Sequence, residues 1–286
     1  MAEHSYGTAD LPHSNNAYEW QFNGDNTYKG GMGFPENGEM TEDEQKLSDV
    51  MKAMYPDYIN SLGLKNPETG EDLTLEADGT GSYYDYIKGF VIASANRALE
   101  EKLDKTELIT EENGFTLENG KVTDVDLPKY SACEGYGRMK PSGSFDNGFL
   151  CWTGENNQFT LGSVKDSNTH FDPDLAAAVE KANAEGAKIE GLDGQDFSVN
   201  ADPEILEMMN PMTFVDGSKS DVAPYFYIRV GAQDADHAYC ISANLYTSLV
   251  NHKAVKDASY AIQWGRPHTG EYSMPEMFDW LDQFCK

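Results

Sequence analysis

Basic residues are scarce in this sequence: 21 Lys and Arg stand against 49 Asp and Glu, a formal net charge of -28 over 286 residues. Phosphate backbones and anionic lipid surfaces are held through clustered Lys and Arg, so neither a nucleic acid nor an anionic membrane is an expected partner. Long apolar runs are missing as well. No stretch approaches the ~20 residues a transmembrane helix needs, and a mean hydropathy of -0.60 agrees with a soluble chain. Cysteine is sparse and scattered. Cys133, Cys151, Cys240 and Cys285 form no C-x-x-C pair and no Cys/His spacing of a structural zinc site, so core thiols are expected, Cys240 in a buried helix and Cys285 on a final helical turn. Met1-Ala2-Glu3-His4 lacks the basic and apolar regions of a secretory signal, which leaves the compartment open. No internal repeat is present, and no serine or cysteine stands in G-x-S-x-G or its cysteine analogue.

What is there is most legible at the C-terminal end. Residues 224–230, Pro-Tyr-Phe-Tyr-Ile-Arg-Val, are a β-rich apolar run that stops at Gly231 and gives way to an acidic loop, 232–237. A helix is predicted over 239–251, with Ile241, Leu245 and Leu249 on one stripe, and a second strand over 259–264. Gly265-Arg266-Pro267 then breaks that strand and presents His268. A final helix takes Ser273 as N-cap and Glu276 as the other half of a capping box, with Met274, Met277, Phe278, Leu281 and Phe284 along one face. Two parallel strands joined by a crossover helix make a βαβ unit, so the expected fold class is α/β. In open α/β sheets functional groups collect beyond the carboxyl ends of the strands, where Asp234 and His268 both stand.

Upstream the chain reads differently. Residues 1–40, rich in Asn, Gly, Tyr and Trp, read as loop with one anchoring segment at 18–22. Thr41 and Glu44 form a capping box for a helix with Leu47, Val50, Met51 and Met54 on its stripe, stopped by Pro56, with a short helix over 57–62. Ser82 and Asp85 open the longest helix in the same way, with Tyr84, Ile87, Phe90, Val91, Ala95, Ala98 and Leu99 on its apolar face. Asn119-Gly120 marks a type I′ hairpin. Asp172-Pro173 and Asp202-Pro203 each start a further helix. Residues 41–220 are thus mainly helical and lack the strand–helix alternation of a doubly wound sheet.

The chemistry-bearing residues follow from this layout. His268, four residues past the predicted strand end, is placed to act as general base. Asp234 would orient it and stabilise the imidazolium; Asp236, in the same loop, competes for that role, although the spacing from Gly231 favours Asp234. His237 reads as a solvated loop residue. A metal-dependent alternative would use Asp234, Asp236 and His268 as ligands. An acid after one strand and a histidine after the next is the tail of an α/β-hydrolase triad, whose chain order is nucleophile, acid, base.

The resemblance is more specific than that. Residues 228–236 (Ile-Arg-Val-Gly-Ala-Gln-Asp-Ala-Asp), the loop from Trp264-Gly265 through His268 to Tyr272, and Phe278-Asp279-Trp280-Leu281 are similar to the C-terminal end of bacterial tannase-like and feruloyl-esterase-like serine hydrolases. Ala9-Asp10-Leu11, Ala17-Tyr18-Glu19-Trp20, Lys140-Pro141, Ser144-Phe145-Asp146 and Glu155-Asn156-Asn157 also resemble that family. The similarity covers nearly the whole chain, but only the C-terminal half of the family's chain. It implies a C-terminal portion of an α/β-hydrolase core carrying a large, mostly helical lid. Residues 1–40 would connect core to lid, 41–220 would be the lid, and 221–286 the core segment. It implies hydrolysis of hydroxybenzoate or hydroxycinnamate esters without cofactor or metal, with Asp234 and His268 catalytic and Asp236, Lys140 and Glu155 binding phenolic hydroxyls. The family's serine elbow lies before the segment that matches residue 9, so the nucleophile is expected to be missing and the chain inactive alone. Two strands cannot form a buried parallel sheet without neighbours, so self-association, or association with the missing half, is expected. The alternative is a ligand-binding or interaction fragment that turns nothing over.

Overall fold

The computed structural model describes residues 9–29, 37–133, 136–139, 172–189, 202–268, 270 and 273–284. In chain order the elements are α1 (Ser14–Gln21), β1 (Thr27–Tyr28), β2 (Gly38–Glu39), α2 (Glu42–Ser61), α3 (Ser82–Glu101), β3 (Phe115–Glu118), β4 (Lys121–Val125) and α4 (Leu127–Ala132). They continue with α5 (Leu175–Ala184), α6 (Pro203–Met209), β5 (Tyr225–Gln233), α7 (Tyr239–Asn251), β6 (Asp257–Pro267) and α8 (Met274–Leu281). Among the described residues no helix is long and apolar enough to cross a membrane.

Helix α2 starts where its sequence says. The Thr41 hydroxyl accepts from the Glu44 amide at 3.2 Å and the Glu44 carboxylate accepts from the Thr41 amide at 2.7 Å, satisfying two orphan donors at once. Pro56, however, does not stop it. The helix runs through Pro56 to Ser61, and the separate short helix expected over 57–62 is its last turns. A proline removes one intrahelical hydrogen bond, but Tyr55, Pro56 and Ile59 are all buried on that turn, and their burial outweighs the loss. Helix α3 is entered from Gly81, at φ +126°, and not capped by Ser82. The Ser82 hydroxyl instead accepts from the Thr74 amide and donates to the Asp72 carbonyl, at 2.9 and 3.1 Å. Its buried face is Tyr83, Ile87, Val91, Ser94, Ala95 and Ala98. Tyr84, expected on the stripe, lies half-buried beside it, its hydroxyl accepting from the Leu127 amide at 3.3 Å.

Asn119 and Gly120 both take positive φ, +52° and +77°, and β3 and β4 pair antiparallel around them. Asp202 caps α6 by accepting from the Glu204 amide at 2.8 Å. Asp172 has another use. The helix after Asp172-Pro173 begins only at Leu175, and the buried Asp172 carboxylate accepts from Asn15 in α1 at 2.9 Å and from the Asp174 amide at 2.9 Å. Helix α5 then packs Leu175, Ala178, Val179 and Ala182 against Leu47, Val50 and Met51 of α2.

The larger core runs from α1 through α2, α3 and the hairpin into the C-terminal βαβ unit, joining Tyr55, Ile87, Val91 and Phe115 to Val230, Ala232, Ile262 and Trp264. Strands β5 and β6 pair in parallel from Tyr225↔Asp257 to Gly231↔Gln263, and α7 connects them. Both strands outlast their expected ends. The ladder shifts register and resumes at Gln233↔Pro267, so the glycines expected to end the strands mark a bulge within a continuing pair. Gly265 supplies φ +73°. A Cβ on Gly231 would lie 2.4 Å from the Arg266 carbonyl oxygen and 2.6 Å from that of Pro267. Helix α8 lacks the expected capping box: Ser273 sits at φ +58° with no side-chain cap, and Glu276 pairs instead with Arg97 of α3. Of its expected apolar face Met277 is buried, but Phe278 is 55% exposed, while Trp280 packs edge-on against Tyr225 and tilted against Tyr227.

Near the N-terminal end of the described chain, His13 stacks on Tyr58 at 3.6 Å and bonds Asp10 at 2.9 Å. Burial pulls the His13 pKa down, but the hydrogen bond and charge of Asp10, aided by Asp172 and Asp174, outweigh it and raise the value above the ordinary one. A raised folded value means that this stabilisation is complete below the unfolded imidazole value of about 6.5 and is lost as pH rises through the folded value. His13→Gln should therefore cost more stability in acid than in mild alkali, measured by urea unfolding at both; equal costs would remove the ion pair from the account. Gly231→Ala should cost about 1–3 kcal/mol as the strand ends are forced apart, and an unchanged urea midpoint would refute the close approach.

Candidate active site

Asp234 is the first residue after β5 and His268 the first after β6. The bulge that sets Pro267 opposite Gln233 brings them together. The His268 Nδ1 lies 3.2 Å from each carboxylate oxygen of Asp234. Asp234 is nearly enclosed, 6% exposed, and its Oδ1 also accepts from the backbone amides of Asp236 at 3.0 Å and His237 at 3.3 Å. The Asp234 carboxylate accepts from Nδ1–H, which leaves Nε2 as the outward nitrogen. On that side the Asp236 carboxylate stands 3.4 Å from Nε2. Both acids weighed for the site therefore flank one imidazole, Asp234 at Nδ1 and Asp236 at Nε2.

His237, read from sequence as a solvated loop residue, is half-buried with its ring 4.9 Å from that of His268. The donor set that converges is thus Asp236, His237 and His268, one ligand atom from each within 4.8 Å of the others; Asp234 points to the opposite nitrogen. Lys140 and Glu155 lie outside the described residues, as do Cys151 and Cys285. Cys133 and Cys240 are buried, free thiols, and burial pushes the Cys240 thiol up to about 12, which suits an inert core residue.

The loop 234–237 is held by residues to which the sequence assigned no role in the site. The Tyr18 hydroxyl donates to the Ala235 carbonyl at 2.9 Å and accepts from the Met139 amide at 2.9 Å. Tyr130 donates to the Ala232 carbonyl at 2.7 Å. Tyr18 belongs to α1, every residue of which is buried, in a region expected to be loop with one anchoring segment at 18–22. Next to it, Glu19 and Arg138 form a two-pronged ion pair at 3.1 and 2.7 Å, with side chains 2% and 1% exposed. Glu19 also accepts from Ser48 of α2 at 2.6 Å, and the Arg138 Nε donates to the Asp25 carbonyl at 2.9 Å. Burial works against the Arg138 charge, but Glu19 outweighs it and raises the guanidinium pKa above its ordinary value. Ser14-Asn15-Asn16-Ala17-Tyr18-Glu19-Trp20-Gln21 offers no apolar stripe, so periodicity could not have found this helix. The local motif Ala17-Tyr18-Glu19-Trp20 was the available signal.

The chain is thus part of an α/β fold with an acid–histidine pair beyond the carboxyl ends of two parallel strands. More particularly, it resembles a partial bacterial tannase, a tannin acyl hydrolase. The native tannin acyl hydrolase of Lactobacillus plantarum superposes with a TM-score of 0.74 at 29% identity, over 96% of this chain and 54% of that one. The tannase of Fusobacterium nucleatum superposes with a TM-score of 0.75 at 31% identity, over 96% of this chain and 56% of that one. The chain spans about half the length of the tannases it matches. No protein-family model matches it, and neither does any curated protein.

Removing one member of a buried ion pair strands the other charge, so Arg138→Met should lose about 3–5 kcal/mol. Replacing Glu19 by Met as well should recover part of that loss, measured by chemical denaturation. A double variant as unstable as the two single losses added would show that the residues act independently.

Proposed function

We propose that this chain supplies the acid and base of a serine-type carboxylic ester hydrolase acting on aromatic esters of the hydroxybenzoate or hydroxycinnamate kind. The observation that carries the reading is the contact of His268 Nδ1 with both oxygens of Asp234. The superposed tannases support the substrate class; tannin acyl hydrolases of this kind have been crystallised with 3,4-dihydroxybenzoate and with ethyl gallate, at 29% and 30% identity to this chain.

In this reading a serine outside the chain loses its proton to His268 Nε2 and attacks the ester carbonyl. Asp234 holds Nδ1–H and stabilises the imidazolium. The imidazolium then protonates the departing alcohol, leaving an acyl-serine. Water, deprotonated by the same Nε2, attacks that acyl group, and the proton returns to serine as the acid leaves. Asp236 stands on the Nε2 side, where it would accept from a phenolic hydroxyl of the acyl group, with Lys140 and Glu155 as its partners in that task. Residues 41–220 serve as lid over a core completed by further strands beside 221–286, and 1–40 connect the two. Consistent with this, the first five residues of β5 and of β6 are only half-buried, where a parallel sheet ordinarily has cover on both faces. The isolated chain would accordingly self-associate or join its complementary half, and by itself would turn nothing over.

The absence of any G-x-S-x-G in the chain favours one other reading, a fragment that binds an aromatic ligand without hydrolysing it. A fluorophosphonate probe on the naturally expressed protein, with intact mass and peptide mapping, separates the two. A labelled product well above 31.7 kDa, modified at an upstream serine and unlabelled after His268→Ala, is expected; Asp234→Asn in that product should lower kcat about 10⁴-fold. A native product of 31.7 kDa that stays unlabelled would end the hydrolase reading.

A further inference from the structure

We propose that Asp236, His237 and His268 form a binding site for a divalent transition-metal ion of the zinc type, seated against His268 Nε2. One donor atom from each residue lies within 4.8 Å of the other two. Zinc holds imidazole nitrogen and carboxylate oxygen at about 2.0–2.2 Å, which sets tetrahedral ligands about 3.3 Å apart. The longest separation in the set need shorten by only about 1.5 Å on binding, within reach of a side-chain rotation.

Three features of the geometry point the same way. His268 turns Nδ1 to both oxygens of Asp234 at 3.2 Å, the carboxylate–histidine–metal arrangement that fixes a ring and raises its basicity at the ligating nitrogen. Asp234 also accepts from the backbone amides of Asp236 and His237, so one carboxylate orders all three ligands. Two imidazoles and one carboxylate suit zinc and its neighbours, whereas magnesium and calcium favour oxygen sets. Three protein ligands leave a fourth position for water. The binding claim stands apart from the ester-hydrolase reading. Where that reading holds, the ion occupies the nitrogen that would move the proton, and loading silences the base.

The test is calorimetric titration of the chain with Zn²⁺, and with Mg²⁺ as comparison, together with the visible spectrum of the Co²⁺ form. One saturable Zn²⁺ equivalent is expected, with no Mg²⁺ binding and with tetrahedral cobalt bands free of sulfur-to-metal charge transfer. His237→Gln and Asp236→Asn should each weaken Zn²⁺ at least about tenfold, and Asp234→Asn about 10–100-fold. Circular dichroism of each variant reports folding, and the cobalt spectrum of the unaltered chain decides if a variant unfolds. No saturable Zn²⁺ binding, a thiolate cobalt spectrum, or unchanged affinity in folded His237→Gln overturns the proposal. Because these readouts record binding and not turnover, their failure leaves the hydrolase reading untouched.

Discussion

The pairing of Glu19 with Arg138 holds the described structure together across long stretches of chain. Two charges at 1–2% exposure would be costly to bury unless every oxygen and N–H found a partner. They do so widely. Glu19 uses both oxygens on the guanidinium and one again on Ser48, while Arg138 donates through its Nε and its amide to the carbonyl and carboxylate of Asp25. One ion pair thereby fastens α1, α2, the loop before β1 and residues 136–139 to one another.

That junction reaches the candidate site through a neighbouring residue. Tyr18 precedes Glu19 in α1 and spans the gap between Met139 and Ala235 by one hydroxyl. Burial holds that hydroxyl far above its ordinary pKa, so it remains a proton donor. The loop that presents Asp234, Asp236 and His237 thus rests on an enclosed polar assembly. From above it is shaped by the β5–β6 bulge, which requires glycine at 231 and 265 for a close approach and a positive φ respectively. Proposed acid and base meet because a helix, a buried ion pair and a strand irregularity agree on one position.

The acid–histidine pair and the metal-ligand set share His268 but use its two nitrogens differently. Asp234 on Nδ1 serves either chemistry, since a general base and a zinc ligand both need a fixed tautomer with its lone pair outward on Nε2. Which one a site of this kind performs depends on what stands at Nε2. Here the Asp236 carboxylate stands there, with the His237 ring 4.9 Å from that of His268, and the proposed metal site draws on that second imidazole.

Much of this was readable in the residues. The strand–loop–helix–strand–loop–helix order of the tail, the Thr41–Glu44 box, the Asn119-Gly120 turn and the placement of Asp234 and His268 after successive strands all follow from local pattern, because each depends on neighbours within a few positions. Other features depended on partners far along the chain. Pro56 stays inside α2 because the core pays for one lost bond through Tyr55 and Ile59, and Ser273 and Glu276 forgo their box because Arg97 is closer to hand. Helix α1 was not found by periodicity because it is buried all round, its Ala17, Tyr18 and Trp20 in the apolar core and its Asn15 and Glu19 on polar partners remote in sequence. The sequence by itself determined most of the elements, though not α1 or the end of α2, and the residue types able to do chemistry. Only the tertiary structure decided that Asp234 takes Nδ1, that Asp236 stands at Nε2 with the His237 ring beside that of His268, and that Tyr18 and Glu19 support them, since burial and distance between remote segments are properties of the folded chain alone.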